Sequence, residues 1–256
     1  GAEKDEFSLS YYLPKLNKLF HDFLLTGGFP KTINEYYASG RIANSTYETF
    51  ITWVENDLHK TNRSEKTAYD LLNNLYRTLT TPVSFTSLAK DSSIASHFAV
   101  QEYIDILEKM FVLFPLNAFV IEQKRRDPKK NKKIYFTDPF IFNALYVKTQ
   151  EQMEDPFSSS RKKIDESMPF IAENIVASYL KRIYSQLYWG KGVKGEIDFV
   201  GKKERKLNFF EVKYREKIDY SDIPSVSPLT VISRKHLTEK PVKTIPLEIF
   251  LLSRIN

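Results

Sequence analysis

Apolar residues recur at three- and four-residue steps near the start of the chain, where Leu13, Leu16, Leu19, Phe20, Phe23 and Leu24 mark one helical stripe. Thr26-Gly27-Gly28-Phe29-Pro30 ends that helix, because glycine supplies a left-handed cap and proline prevents the helix from resuming at once. Helical runs then cover Lys31–Ala38 and about Ser45 to His59. The second carries Tyr47, Phe50, Ile51, Val54 and Leu58 on one face, with Asn44 or Ser45 as its cap. Tyr11 to about Arg63 therefore reads as a small helical unit.

From Ser64 the pattern changes. Ala68, Leu71, Leu72, Leu75 and Leu79 form a helical stripe ended by Thr80-Thr81-Pro82, and Val83-Ser84-Phe85 is a short extended piece. Thr86 is placed to cap a brief helix containing Leu88 and Ala89. After the turn Asp91-Ser92-Ser93, Ser96–Met110 sets Val100, Tyr103, Ile104 and Leu107 at helical spacing, and strands follow at Phe111–Asn117 and Ile134–Phe136. This is the order of a winged helix-turn-helix: Ser96–Met110 takes the recognition position, and the two strands form a wing joined by Lys124–Lys133. Asp138-Pro139 opens a further helix through Tyr146. The polar stretch Thr149–Lys163, with Ser158-Ser159-Ser160 at its centre, has no apolar period and reads as a linker.

Beyond the linker, Pro169 sits in a first helical turn, and Ile171, Ile175, Val176, Tyr179, Leu180 and Ile183 share one face. Strand signals follow at Gln186–Trp189, Glu196–Val200, Leu207–Tyr214, Leu229–Ser233 and Ile245–Leu252, so the third unit is α/β. The expected organisation is a helical segment over 1–63, a winged helix over 64–148 and an α/β domain over 149–256, in a chain that is α/β overall.

Composition narrows the class. Hydrophobic residues make up 42% and charged residues 27%, a balance that excludes collagen-like, disordered and disulfide-stapled chains. At roughly 100–150 residues per domain, 256 residues make two compact units or three small ones. The absence of cysteine removes disulfides, thiolate catalysis and cysteine-ligated zinc, and points to a reducing cytoplasm. No apolar run approaches the roughly 18–20 residues of a membrane span. The longest, Met110–Leu116, reads as buried strand. Gly1-Ala2-Glu3 shows neither an initiator Met nor a signal-peptide pattern, as expected of a segment cut from a longer chain with Gly1 a cloning remnant, or of a naturally lone module. With 38 Lys and Arg against 32 Asp and Glu, the net charge is +6.

The residues that carry chemistry lie in Gly195-Glu196-Ile197-Asp198-Phe199-Val200 and in Lys206-Leu207-Asn208-Phe209-Phe210-Glu211-Val212-Lys213. Strand alternation puts Glu211 and Lys213 on one face, and Phe210, Val212 and Tyr214 on the other. A hairpin whose turn centres between Glu204 and Arg205 puts Asp198 directly opposite Glu211, with Cβ atoms about 4.5–5.5 Å apart. Two carboxylates at that distance repel, and a divalent cation is the simplest way to make both charged forms favourable. Oxygen-only ligands point to Mg²⁺ or Mn²⁺. Glu196 is either a further ligand or solvated. A Glu-x-Lys at a strand edge is also an ordinary solvated motif, so the pattern gains its force from its surroundings.

An Asp, about a dozen residues, then Glu-x-Lys on an apolar strand resembles the PD-(D/E)xK restriction-endonuclease-like superfamily, with Ile197 where many members have Pro. Upstream, Glu173 occupies the place of that fold's helical acid. The resemblance implies that Asp198 and Glu211 hold the metal, that Lys213 orients or polarises the attacking water, and that Glu173 assists as a ligand or through a bridging water. It also implies either a deoxyribonuclease or a scaffold retained for binding alone.

A wider resemblance rests on the order of Gly27-Gly28-Phe29-Pro30, the winged-helix pattern, Lys133-Ile134-Tyr135-Phe136-Thr137-Asp138-Pro139, Glu173, Gly195-Glu196-Ile197-Asp198 and Glu211-Val212-Lys213. It is similar to the C-terminal part of a prokaryotic family of AAA+ ATPases carrying a helical lid, a winged helix and a PD-(D/E)xK-like domain. The sequence contains no G-x-x-x-x-G-K-S/T, so no ATP site and no ATPase activity are expected of this chain alone, and a separate P-loop module or another protein is an expected partner.

DNA is the other expected partner. Lys124, Arg125, Arg126, Lys129, Lys130, Lys132 and Lys133 are seven basic residues against the single acid Asp127, and a wing is a common place for phosphate contacts. The recognition-position helix instead exposes Ser96, His97, Gln101, Glu102 and Asp105. Its acids repel phosphate, and the alternative reading of the winged helix is a packing or dimerisation module. Lys202-Lys203-Glu204-Arg205-Lys206 is either a solvated turn or a hairpin tip that reaches a DNA backbone. His21, His59, His97 and His236 have no metal-ligand spacing, and no G-x-S-x-G element exists.

Overall fold

The computed structural model describes residues 2–92, 94–150, 155–192 and 195–253, with side chains from residue 6 onward. The protein is mixed α/β and falls into two compact units that the chain enters more than once. One gathers Gly1–His21, Leu116–Lys130 and Met168–Asn256, and the other Asp22–Pro115 and Asn131–Ser167. These units cut across the boundaries expected at 63 and 148. Among the described residues no helix is long and apolar enough to cross a membrane.

Helices α1 (Ala2–Ser10), α2 (Leu13–Thr26), α3 (Pro30–Ser39) and α4 (Asn44–Lys60) follow the periodicity closely. Neither Asn44 nor Ser45 caps α4. Ala43 is the cap residue, and the Glu35 carboxylate accepts from the Ala43 N–H at 3.2 Å and from the Thr46 hydroxyl at 2.8 Å. Serines cap the next three helices, α5 (Glu65–Arg77), α6 (Phe85–Asp91) and α7 (His97–Lys109). Ser64, Ser84 and Ser96 accept from the N–H of Thr67, Ser87 and Ala99. The cap of α6 is therefore Ser84 and not Thr86.

Four short strands come next: β1 (Leu113–Leu116), β2 (Ala118–Val120), β3 (Arg125–Asp127) and β4 (Lys133–Phe136). The apolar run does not begin as strand, because Met110 caps α7 and Phe111 turns out at φ 56°, 75% exposed. Strands β1 and β4 pair in a two-stranded sheet, the pairing expected between the strands at Phe111–Asn117 and Ile134–Phe136. The segment between them is not its tip, since β2 and β3 pair with each other and join the sheet of the other unit. Helix α8 (Pro139–Thr149) is capped by Asp138. Helix α9 (Pro156–Glu166) replaces most of the expected linker: Asp155 caps it, Pro156 occupies its first turn, and Ser160 and Ile164 are buried. Residues 151–154 of that linker lie outside the described residues. Ile42, Tyr47, Ile51, Phe140, Ala144 and Val147 form one core of this unit, so the helices placed before and after residue 63 are packed together.

The remaining elements are α10 (Met168–Ile183), β5 (Gln186–Gly192), β6 (Gly195–Lys203), β7 (Lys206–Lys213), β8 (Leu229–Ser233), β9 (Lys243–Pro246) and α11 (Leu247–Leu252). The stretch Ile245–Leu252 is thus the end of a strand followed by a helix, with Pro246 at the junction. Seven strands form one mixed sheet in the order β3-β2-β5-β6-β7-β8-β9. Strands β2 and β5, β7 and β8, and β8 and β9 pair parallel, and the others antiparallel. One face buries Phe119, Ile197, Val200, Phe209, Leu229 and Val231. The other is covered by α10 and α11, where Phe210 meets Tyr184 and Phe250 with ring centroids 5.9 and 5.8 Å apart.

Candidate active site

The β6–β7 ladder runs from Lys203↔Lys206 at the turn to Phe199↔Phe210, the register that places Asp198 next to Glu211. Here main-chain pairing gives way to side chains. The Asp198 N–H donates to Glu211 Oε2 at 3.2 Å, and the Val212 N–H donates to Asp198 Oδ2 at 2.9 Å. On the other side of β6, Tyr188 faces Val200 while Gly190 faces Ile197, so Asp198 and Phe199 together oppose Trp189. This extra residue is a bulge, which bends the strand and re-aims a side chain. It explains why Ile197 and Val200, three apart, share one core.

Lys213 Nζ donates to Glu211 Oε1 at 2.7 Å, confirming that the two side chains share a face. Glu211 is 6% exposed. Burial pushes its carboxyl up to about 7, the charge of Asp198 adds to the effect, and Lys213 and the Asp198 N–H pull it back. With both carboxyls ionised, two carboxylates facing one ammonium leave a net negative centre. A carboxylate oxygen that accepts one hydrogen bond retains acceptor capacity, and Mg²⁺ commonly takes one or two carboxylates and completes its shell with water. The donor set therefore fits a divalent cation.

Glu173 is half-buried on α10. That helix ends just before β5, packs on β5, β6 and β7, and is followed by Tyr184 against Gly201. Among the described residues no group of three or more His, Asp or Glu side chains comes together, so Glu173 does not form one cluster with the pair. Glu196 is exposed and faces Lys191 across the β5–β6 ladder.

The basic segment is divided. Lys124, Arg125, Arg126, Lys129 and Lys130 are exposed on and around the edge strand β3. Lys133 is only 3% exposed, drawn in at the start of the fully buried β4, and this removes it from the residues able to reach phosphate. Lys132 is half-buried, with Nζ 4.9 Å above the Phe85 ring. On α7, Glu102 pairs with Arg63 at 3.1 Å, and Phe98 is 68% exposed.

Three buried acids lie outside the sequence motifs among the described residues, Glu6, Asp22 and Glu248. Glu248, at the start of α11, is 4% exposed, and its Oε2 has no hydrogen-bond partner. Burial pushes its carboxyl up to about 7, while burial and the charge of Glu248 raise Tyr214 to about 12. Its only signal was a lone acid inside an apolar run.

A family model described as a domain of unknown function, DUF8612, matches residues 17–152. The matched span ends before Glu173, Asp198, Glu211 and Lys213. No curated protein and no solved structure matches the chain. The family match covers just over half of the 256 residues, and on that footing the chain belongs to the DUF8612 family.

Proposed function

We propose that this chain is a DNA-associated protein whose Asp198–Glu211–Lys213 site is a divalent-metal-dependent phosphodiesterase of PD-(D/E)xK type. The observation that carries the reading is the reciprocal contact of Asp198 and Glu211 at a bulge, with Lys213 held on Glu211. Side chains replace strand pairing here, where a regular hairpin would continue its ladder. Asp198 and Glu211 would hold Mg²⁺ or Mn²⁺, which lowers the pKa of a bound water and stabilises charge developing on a phosphodiester oxygen. Lys213 would hold a water or a phosphate oxygen once it is released from Glu211, and Glu173, outside the cluster, would assist through a bridging water.

The winged-helix reading of 64–148 is supported by the order α5, α6, α7, then β1 with β4. It is also supported by the antiparallel bridge of Val83 to Lys132, which adds a third extended segment. With the helices before it, this arrangement favours the C-terminal part of an AAA+-type protein, acting with a separate P-loop ATPase module in the cytoplasm. The expected result is nicking of supercoiled plasmid in Mg²⁺ or Mn²⁺ that EDTA and Asp198→Ala both abolish. Cutting that persists in Asp198→Ala would overturn it.

A second reading is favoured by the same hydrogen bonds. Both carboxylates are engaged with main-chain N–H groups, and a non-catalytic DNA- or protein-binding module would use them to fasten β6 to β7. Salt-sensitive DNA retention without cleavage in either metal would select it.

A further inference from the structure

The sheet order gives its two ends different surroundings. At one end lies the β6–β7 turn, with Lys203, Arg205 and Lys206 exposed. From Asp198 to Lys203 is five residues of strand, about 17 Å, so this basic tip is remote from the carboxylate pair. At the other end, pairing aligns Arg125 of β3 with Val120 of β2, Val120 with Lys191 of β5, and Lys191 with Glu196 of β6. Lys124 lies one residue further out. All three cations, Lys124, Arg125 and Lys191, are exposed. On the other flank of the pair, Arg234 and Lys235 follow Ser233, which is aligned with Lys213, and they share the carboxylate of Glu216. Basic groups far apart in sequence thus line the sheet end that carries Asp198 and Glu211, and they outnumber the exposed acids there, Glu122, Glu196 and Glu216.

We propose that duplex DNA lies along this end of the sheet, with its phosphates on Lys124, Arg125 and Lys191 to one side of the carboxylate pair and on Arg234 and Lys235 to the other. From β3 to β8 is five strand spacings, about 24 Å, enough for about seven phosphates of one strand at 3.4 Å each. Lys129 and Lys130 follow β3 toward the opposite end, and with the β6–β7 tip they lie off this path. The proposal rests on the DNA-associated reading and adds the surface and its direction.

The test compares two sets of three exposed cations: Lys124→Gln, Arg125→Gln and Lys191→Gln together, against Lys203→Gln, Arg205→Gln and Lys206→Gln together. Both remove the same charge from the intact chain. Affinity for a short labelled duplex is measured in EDTA over a range of salt. The first set is expected to lower the salt slope by about three, near one per lost phosphate contact, and the second to leave it unchanged. Equal losses in both sets, loss only at the turn, or no DNA binding by the wild type would overturn the proposal. Because no cleavage is read, a wild type that cuts no DNA but loses affinity only in the first set would retain this surface and remove the nuclease reading. Metal-dependent cutting with equal losses would do the reverse.

Discussion

Asp198 and Glu211 hold each other's strand: the carboxylate of Glu211 accepts the Asp198 N–H, and that of Asp198 accepts the Val212 N–H. Each side chain is at once a structural acceptor and part of the negative centre. The two roles separate in substitution. Asp198→Ala leaves the Val212 N–H without its acceptor and should cost about 1–3 kcal/mol in a denaturant titration. Asp198→Asn keeps an acceptor oxygen in place and should cost less, yet it should be as inactive in cleavage. Equal stability losses would show that the hydrogen bond contributes nothing.

Acid–base behaviour follows from two buried carboxyls. Glu211 and Glu248 are each pushed up to about 7 from an ordinary 4.5. Between those values the folded protein holds more protons than the unfolded chain, so these groups make stability fall as pH rises from about 4.5 through about 7, with no further loss above. Glu248→Gln removes one of them. Its stability relative to the wild type should improve from about pH 5 to about pH 8, as read by urea unfolding at both. A pH-independent difference would contradict a buried, titrating Glu248.

Metal binding has a readout apart from catalysis. A cation that takes Asp198 and Glu211 favours their ionised forms, so Mg²⁺ or Mn²⁺ should raise the melting temperature above neutral pH. At a hundred times its dissociation constant the gain is about 2.7 kcal/mol. Glu211→Gln should abolish the shift, and an undiminished shift in that variant would place the metal elsewhere.

The Gly27-Gly28 turn is tied to Asp138, whose Oδ2 accepts the Gly28 N–H at 2.9 Å while Oδ1 accepts the Phe140 N–H at 2.7 Å. A Cβ on Gly27 would come within 2.1 Å of Asp138 Oδ1 at a φ of +61°, whereas one on Gly28 would lie 3.5 Å from Oδ2. Gly27→Ala should therefore destabilise by more than the roughly 1–2 kcal/mol of the left-handed conformation alone, and Gly28→Ala should be close to neutral. Asp138→Ala should cost about 0.5–2 kcal/mol through the lost cap. Thermal melts of the three variants check the order.

What was legible in the sequence depended on how local its cause was. Helix stripes such as Leu71, Leu72 and Leu75 are local signals, and that helix lies where the spacing put it; the caps were less legible, since Ser84 and not Thr86 caps α6 and Ala43 caps α4. The hairpin register followed from a two-residue turn and strand alternation, so the neighbours Asp198 and Glu211 were readable. The bulge was not, because an extra residue in β6 shows only against Trp189 of a third strand. Helix α9 was hidden by its serines, although Asp155-Pro156 carried a cap and a first-turn proline. Residues 247–252 read as strand because a short apolar run has no period that separates helix from strand. The basic segment was misplaced for a topological reason: β2 and β3 belong to the seven-stranded sheet, and sequence alone does not show which sheet a three-residue strand joins.

The most direct test of the central claim is cleavage of supercoiled plasmid in Mg²⁺ and in Mn²⁺, with wild type, Asp198→Asn and Lys213→Met side by side and EDTA as control. The expected result is metal-dependent nicking by the wild type alone. Nicking retained by both variants, or wild-type protein that melts at a higher temperature in the metal yet cuts no DNA, would contradict a phosphodiesterase site at Asp198, Glu211 and Lys213.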